Sequence, residues 1–404
     1  MKEILGGVCA PIGFTAAGIH SGIRKNKERL DLALISCEKE CNAAATFTTN
    51  RVKAAPVYLD MQNIESGKMQ AVVVNSGNAN ACAPNGMENA EKMCKVTADA
   101  LGIAPNRVFV CSTGVIGVEL DTTPVENAMP ALVSQLSKEG AEAAAQAILT
   151  TDLVKKEIAL EDTIGGKIVK IGAIAKGSGM IHPNMGTMLC FITTDAAISS
   201  ELLNAALKDT VKKTFNRVSV DGDTSTNDTA VVLSSGLAGN AEITDKNADY
   251  EIFCALLYKV CEHLARAIAR DGEGATRLIT CEVVGAKDEA SAEKLAKSVI
   301  GSALTKAAMF GSDANWGRVI CAMGYSGEEF DPEKVKISFK SCKGEILVCE
   351  AGRGLVFDED VAKEILSQDE VIIYCELCEG EGKATVWGCD LTYDYVKING
   401  DYRS

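Results

Sequence analysis

A glycine and a threonine meet at residues 186 and 187. There the run GSGMIHPNMG (177–186) of turn-forming and polar residues gives way to the apolar segment TMLCF (187–191). A threonine hydroxyl can attack the carbonyl of the preceding residue through a five-membered ring, turning the amide into an ester that water then opens. Gly186 lacks a Cβ and tolerates the backbone angles this attack requires. The product chain starts at Thr187, with a hydroxyl beside its own α-amine, whose ordinary pKa is about 7.7–8.0. That amine can serve as general base, the N-terminal form of nucleophile activation. Standing alone, the dipeptide is a weak signal, since many strands start with Gly-Thr and a loop entering a strand is the commoner reading.

Other groups in the chain invite chemistry and carry it less far. DGDTSTND (221–228) sets Asp221, Asp223 and Ser225 at alternating positions, as in a calcium loop. That loop needs glycine at its sixth place and glutamate at its twelfth, where Thr226 and Val232 stand. A hydrogen-bonded turn under the active site suits these short polar side chains better. His182 sits beside the cut and reads as pocket lining or structure, because the freed amine already supplies a base. KGSG (176–179) lacks the rest of a phosphate-binding pattern. The pairs Cys37/Cys41 and Cys375/Cys378 have no second ligand pair at finger spacing, and the chain has three histidines, so no metal is expected.

The elements that must position these residues show in the hydrophobic pattern. QAVVVN (70–75) and RVFVCS (107–112) read as buried strands. Between them MENAEKMCKVTADALG has helical spacing and stops at Gly102. Thr123-Pro124 opens another helix, which Pro130 should shift or bend. TMLCFITTDA, SELLNAALKDTVKKTF and TAVVLSS follow as strand, helix and strand, and the longest helix covers about 248–269. Near 284–288 the character changes, and a smaller C-terminal α+β domain is placed at 285–404. The alternation gives a layered α/β fold with strand direction undetermined.

A length of 404 residues favours two or three domains. The net charge of −14 argues against nucleic-acid or anionic-membrane partners. Sixteen cysteines, many inside strand-like runs such as Cys281 and Cys349, read as reduced, buried small hydrophobes. Glu3, Gly6, Gly7 and Pro11 spoil the N-terminus as a signal peptide, and no run of about eighteen apolar residues occurs. A cytoplasmic location is expected.

Ten blocks in order resemble the ornithine acetyltransferase (glutamate N-acetyltransferase) family of arginine biosynthesis, ArgJ. They are GGVCAPIGFTAAGIHSGI (6–23), ATFTTNRVKAAPV (45–57), VVNSGNANAC (73–82), STGVIG (112–117), TTDLVKK (150–156), KGSGMIHPNMGTML (176–189), FNRVSVDGDTSTNDT (215–229), ARDGEGAT (269–276), FGSDANWGR (310–318) and YVKINGDYRS (395–404). The resemblance implies an αββα-type sandwich with a smaller C-terminal α+β domain. It implies self-cleavage between Gly186 and Thr187 into chains 1–186 and 187–404, with 187–284 completing the sandwich. Thr187 is then the nucleophile that carries acetyl from N-acetylornithine to glutamate, and Thr113 and Gly114 form the oxyanion hole. Substrate contacts fall on Thr150, Lys176, Thr187, Glu273, Asn399 and Ser404. The fragments are expected to pair as an (αβ)2 heterotetramer. No metal or organic cofactor is called for, and acetyl-coenzyme A as a second donor stays open. Family members often carry alanine at the positions of Gly186 and Gly400. Two other readings are an amidase or aminopeptidase with the same nucleophile and an uncleaved amino-acid-binding protein.

Overall fold

The computed structural model describes residues 1–182 and 188–400. Thr187, Gly186 and Ser404 therefore lie outside the described residues. The chain divides into two compact units. The first is Met1–Asn216 with Asp223–Leu264; the second is Arg217–Gly222 with the described residues from Ala265 on.

The first unit is a layered α/β structure around a nine-stranded sheet. Its strands are β1 (Lys2–Ile4), β2 (Phe14–Ile19), β3 (Leu32–Phe47), β4 (Lys68–Asn75), β5 (Val108–Ser112), β6 (Lys156–Ile164), β7 (Lys167–Lys176) and β8 (Leu189–Thr194). The two-residue β9 (Val218–Ser219) belongs to the second unit, and β10 (Thr229–Ser234) completes the first sheet. Their order is β1-β6-β7-β8-β10-β3-β4-β5, with β2 on β3. The pairs β8–β10 and β4–β5 are parallel and the other neighbours antiparallel.

Period-two alternation buries this sheet on both faces. Ala33 and Ile35 join one cluster with Val72, Phe109, Phe191 and the helical side chains Ala144 and Ala145. Leu32 and Leu34 join the opposite cluster with Val73, Val110 and the helical residues Met93, Val125 and Met129. The helices are α1 (Ala55–Asn63), α2 (Gly86–Leu101), α3 (Thr123–Ser134), α4 (Ala141–Ala147), α5 (Ser200–Lys213) and, as far as Leu264, α6 (Ala248–Arg270). In α2 the buried residues Ala90, Met93, Cys94, Thr97 and Ala98 recur every three to four positions, and Gly102 ends the helix at φ 68°. Helix α3 carries Pro124 at its start and continues past Pro130 to Ser134. The Ser199 side chain caps α5 by accepting the Leu202 amide at 3.3 Å.

The second unit holds a seven-stranded sheet ordered β14-β13-β12-β15-β11-β16-β9. Its further strands are β11 (Leu278–Ala286), β12 (Lys336–Ser341), β13 (Gly344–Glu350), β14 (Arg353–Gly354), β15 (Glu370–Glu376) and β16 (Gly382–Cys389). Helices α7 (Glu289–Gly301), α8 (Ala303–Phe310), α9 (Trp316–Gly324) and α10 (Glu359–Leu366) share its core with strand residues such as Cys281, Ile337 and Val371, and α11 (Tyr393–Asn399) follows. The change of character near 284–288 falls at the end of β11. FGSDANWGR closes α8 and opens α9, and beside it the Arg277 guanidinium donates to the Met309 and Leu366 carbonyls at 2.6 Å each. All sixteen cysteines are free thiols, Cys281 and Cys349 among the buried ones.

Candidate active site

The STGVIG segment leaves the end of β5 and is held by the NSGNAN segment (75–80) that leaves β4. Thr113 donates its amide to the Asn75 carbonyl at 3.0 Å, and Asn75 Nδ2 donates to Ser112 Oγ at 2.7 Å. Asn75 Oδ1 accepts the Gly77 and Asn78 amides at 3.2 and 3.0 Å, curling the chain back toward β5. Gly114 sits at φ 135°, a conformation L side chains rarely adopt. A Cβ there would stand 2.7 Å from the Gly77 carbonyl carbon. Two segments thus approach so closely that only glycine fits, and Thr113 ends up buried beside it.

Lys176 comes from the end of β7 and is buried, with Nζ 3.3 Å from Thr113 Oγ1. Burial lowers its pKa, opposed by the carboxylate of Asp152. Asp152 organises this corner. Its carboxylate accepts from Lys156 Nζ at 2.7 Å, both side chains being fully buried. It also accepts the Gly177 amide at 2.7 Å and the Thr150 amide at 3.0 Å. Burial alone would raise its pKa, but the charges of Lys156 and Lys176 outweigh that and hold it well below the ordinary carboxylate range. The Thr150 segment is gripped from its other side as well, since Arg29 donates to the Thr150 carbonyl at 2.7 Å. Thr113, Thr150 and Lys176, named on the sequence, are therefore joined through Asp152, which was not.

One register row aligns this corner with the strand that begins after Thr187. Lys176 of β7 pairs with Leu189 of β8, and Leu189 pairs with Thr229 of β10. The Thr229 amide donates to the Met188 carbonyl at 3.0 Å. A hydrogen-bonded turn is the expectation for 221–228, and the part of it that leads into β10 is hydrogen-bonded. Asn227 Nδ2 donates to the Ser112 carbonyl at 2.8 Å and the Ala79 carbonyl at 2.6 Å. Thr224 donates its hydroxyl to the His182 carbonyl at 2.9 Å, tying the turn to the end of the KGSGMIH run. The turn thus braces the base of the Thr113 segment.

Glu273 and Asn399 lie in the second unit and meet there, Asn399 Nδ2 donating to Glu273 Oε2 at 2.7 Å. The DGEG turn is fixed by Thr392, whose hydroxyl donates to the Gly274 carbonyl at 2.6 Å. Gly274, at φ 69°, would with a Cβ meet the Tyr395 amide nitrogen at 2.5 Å, so this turn and the start of α11 fit together without a side chain between them. Gly400 caps α11, donating its amide to the Val396 carbonyl at 2.8 Å.

Known proteins resemble the chain along its full length. The ArgJ family model matches residues 15–404. The arginine biosynthesis bifunctional protein ArgJ of Caldanaerobacter subterraneus subsp. tengcongensis is 51% identical over 404 residues, covering 100% of both chains. ArgJ 1 of Clostridium acetobutylicum is 55% identical over 392 residues, covering 97% of this chain and 96% of its own. Among solved structures, the ArgJ of Bacillus halodurans is 47% identical with a TM-score of 0.50, over 52% of this chain and 97% of that one. Matched by the family model and by relatives of its own length at about half identity, the chain belongs to the ArgJ family.

Proposed function

We propose that the chain cuts itself between Gly186 and Thr187 and that the new N-terminal threonine transfers acetyl from N-acetylornithine to glutamate. The protein is a glutamate N-acetyltransferase (ornithine acetyltransferase) of arginine biosynthesis. One observation carries the mechanism: the buried Lys176–Thr113 corner shares its register row with Leu189, two residues beyond Thr187. A threonine at that strand entry is the nucleophile this corner would serve.

In the first half-reaction the Thr187 Oγ–carbon bond forms at the acetyl amide as the hydroxyl proton moves to the Thr187 α-amine. The carbonyl electron pair moves onto oxygen, where Thr113 and the Gly114 amide receive it. Collapse breaks the carbon–nitrogen bond, the amine returns its proton to the leaving nitrogen, and ornithine departs from an acetyl ester. The glutamate amine then attacks that ester by the same steps and frees the hydroxyl. Lys176, with a cation in a buried site, suits the substrate carboxylate.

Mixing the processed protein with N-acetylornithine alone tests this cycle. The 187–404 fragment should gain one acetyl group by mass, without glutamate, as a ping-pong scheme requires. Thr187→Ala should stay full length and transfer nothing, whereas Thr187→Ser should retain part of both activities. An intact backbone in fully active enzyme refutes the proposal, and release of acetate in place of acetylglutamate assigns an amidase. Acetyl-coenzyme A offered as donor separates a recycling enzyme from one that also starts the pathway. Among the described residues no helix is long and apolar enough to cross a membrane. We assign the enzyme to the cytoplasm and its fragments to an (αβ)2 assembly, which sedimentation of the processed protein should report as twice the 42.6 kDa chain mass.

A further inference from the structure

Strand β3 is interrupted at CEKEC (37–41), whose two thiols the scheme above leaves unused. Ser36 pairs with Ala71 of β4 and Cys41 with Met69, so β3 spends five steps where its partner spends two. A slip of this kind is a β-bulge, and the surplus residues leave the ladder. Here they are Glu38, Lys39 and Glu40, all exposed. Cys37 and Cys41 on either side are 2% and 0% exposed and join the core cluster of Phe14, Ile35 and Met69. The base of the bulge is pinned: the Glu38 amide donates to the Gly13 carbonyl at 2.9 Å, and Gln70 Nε2 donates to the Cys37 carbonyl at 3.2 Å. Its neck, between Ser36 and Cys41, is two strand steps or roughly 7 Å wide, with Cys37 one residue inside it. Both sulfurs lie under Lys39. Cys41 Sγ is 3.6 Å from the Lys39 carbonyl oxygen, the Cys37 thiol is hydrogen-bonded to the Lys39 backbone, and the two thiols are hydrogen-bonded to each other. That mutual bond lowers the pKa of Cys37 and, together with burial, raises that of Cys41, so Cys37 is the member of the pair that reaches the thiolate.

We infer that Cys37 and Cys41 are an oxidisable dithiol, a modification site at which peroxide closes a disulfide across the neck of the bulge. A disulfide spans Cα atoms about 4.4–6.8 Å apart, which the width of this neck allows. The Cys37 thiolate attacks one peroxide oxygen, the O–O bond breaks, and the departing hydroxide takes up a proton and becomes water. Cys37 is then a sulfenic acid. The Cys41 sulfur attacks the Cys37 sulfur, the S–O bond breaks, and the oxygen leaves as a second water with the Cys41 proton. Each cysteine has lost one electron and one peroxide has been reduced, and an added thiol reverses the change by exchange. Burial of both sulfurs restricts the oxidant to a molecule of about the size of peroxide. The bulge lies at the Met69 end of β4, whereas Asn75, which holds the Thr113 segment, ends that strand, so this site stands or falls independently of the function proposed above.

The sequence supplies the readout, because trypsin cuts after Arg29, Lys39 and Arg51 and so places the two cysteines on separate peptides, 30–39 and 40–51. Native wild-type protein is treated with one equivalent of hydrogen peroxide, its remaining thiols are alkylated in denaturant, and it is digested without reductant. The two peptides should appear as one species, lighter than their sum by two hydrogen atoms, and should come apart when dithiothreitol is added. Recovery of both as separate alkylated peptides overturns the inference. So does oxidation that goes instead to the exposed Cys82, Cys321, Cys342 or Cys378, since exposure alone would then decide which thiol reacts. The order of attack is read from single variants probed with dimedone, which traps sulfenic acids. Cys41→Ser should accumulate the adduct on Cys37, and Cys37→Ser should keep Cys41 as a thiol at the same dose. An adduct on Cys41 with none on Cys37 overturns the assignment of Cys37 as the attacking thiol. If a variant does not fold, the wild-type digest still decides whether the pair closes.

Discussion

Asp152→Asn tests whether one buried carboxylate holds the corner at Lys176 together. The substitution preserves the outline of the side chain and one acceptor oxygen, but removes the charge that faces Lys156 at 2.7 Å with both groups fully buried. Removing one partner of such a pair costs about 3–5 kcal/mol, because the other charge stays in a medium that cannot solvate it. At about 2 °C per kcal/mol for a unit of this size, the melting temperature should drop by about 6–10 °C. Asp152→Asn combined with Lys156→Met removes both charges and should recover most of the loss, giving a coupling of about 2–4 kcal/mol in the double-mutant cycle. The pH dependence has a definite sign. Because the folded-state pKa lies below its unfolded value, the stability from Asp152 is fully present above about pH 4 and is lost as pH falls through the depressed value. Wild type should therefore lose stability more steeply than Asp152→Asn in acid. Calorimetry of both single variants, the double variant and wild type at pH 7 and below pH 4 reads all these quantities. A melting temperature for Asp152→Asn within about 2 °C of wild type at pH 7 would refute the reasoning.

Three further outcomes follow from specific contacts. Gly114→Ala forces a Cβ to 2.7 Å from the Gly77 carbonyl carbon at φ 135°; turnover should fall about a hundredfold or more and stability by about 1–3 kcal/mol, measured by steady-state kinetics and melting. Asn227→Ala leaves the Ser112 and Ala79 carbonyls without their donor, which should cost about 1–3 kcal/mol, and Asn227→Asp, with no donor to offer, should do no better. Asp60 accepts the Val110 amide at 2.9 Å from full burial, which holds its pKa well above the ordinary value. The unfolded chain ionises there above about pH 4 while the folded one keeps its proton, so folding loses up to about 1.4 kcal/mol per pH unit until the folded group ionises. Asp60→Asn should accordingly raise the melting temperature more at pH 7 than at pH 4.

How much could be seen in advance depended on whether a contact leaves a mark along the chain. Elements with a clean period and a stop signal were legible: α2 ending at Gly102, β4 and β5 as β-branched runs, α5 behind Ser199, and the long α6. The sixteen-residue β3 was not, because its middle carries exposed Glu38, Lys39 and Glu40 where its pairing with β4 shifts register. Nor was the β6–β7 hairpin, where Glu161, Asp162, Thr163, Lys167 and Ile168 near the turn are half-buried or exposed and resemble surface. Strand direction is a tertiary property, and the parallel β8–β10 pair leaves no local trace. For the site, Thr113, Gly114, Thr150 and Lys176 were named through motif words, and the contact between Thr113 and Lys176, 63 positions apart, became visible only in the folded chain. Asp152 stood inside the quoted TTDLVKK block. Its role depends on burial beside Lys156, which i and i+4 spacing at a strand start does not announce.

The strand order β7-β8-β10-β3 interleaves the two prospective fragments, since β8 and β10 come from after residue 187 and lie between strands that come from before it. A nick at the entrance to β8 would free no edge; the pieces would stay threaded like clasped fingers, and pulling them apart would mean tearing the sheet along two seams. Such an enzyme would be assembled once, as an uncut precursor. After melting, its halves would have to find each other in solution and rebuild an interior that originally formed within a single molecule, so heat inactivation of mature enzyme should be a one-way loss where the uncut Thr187→Ala chain recovers.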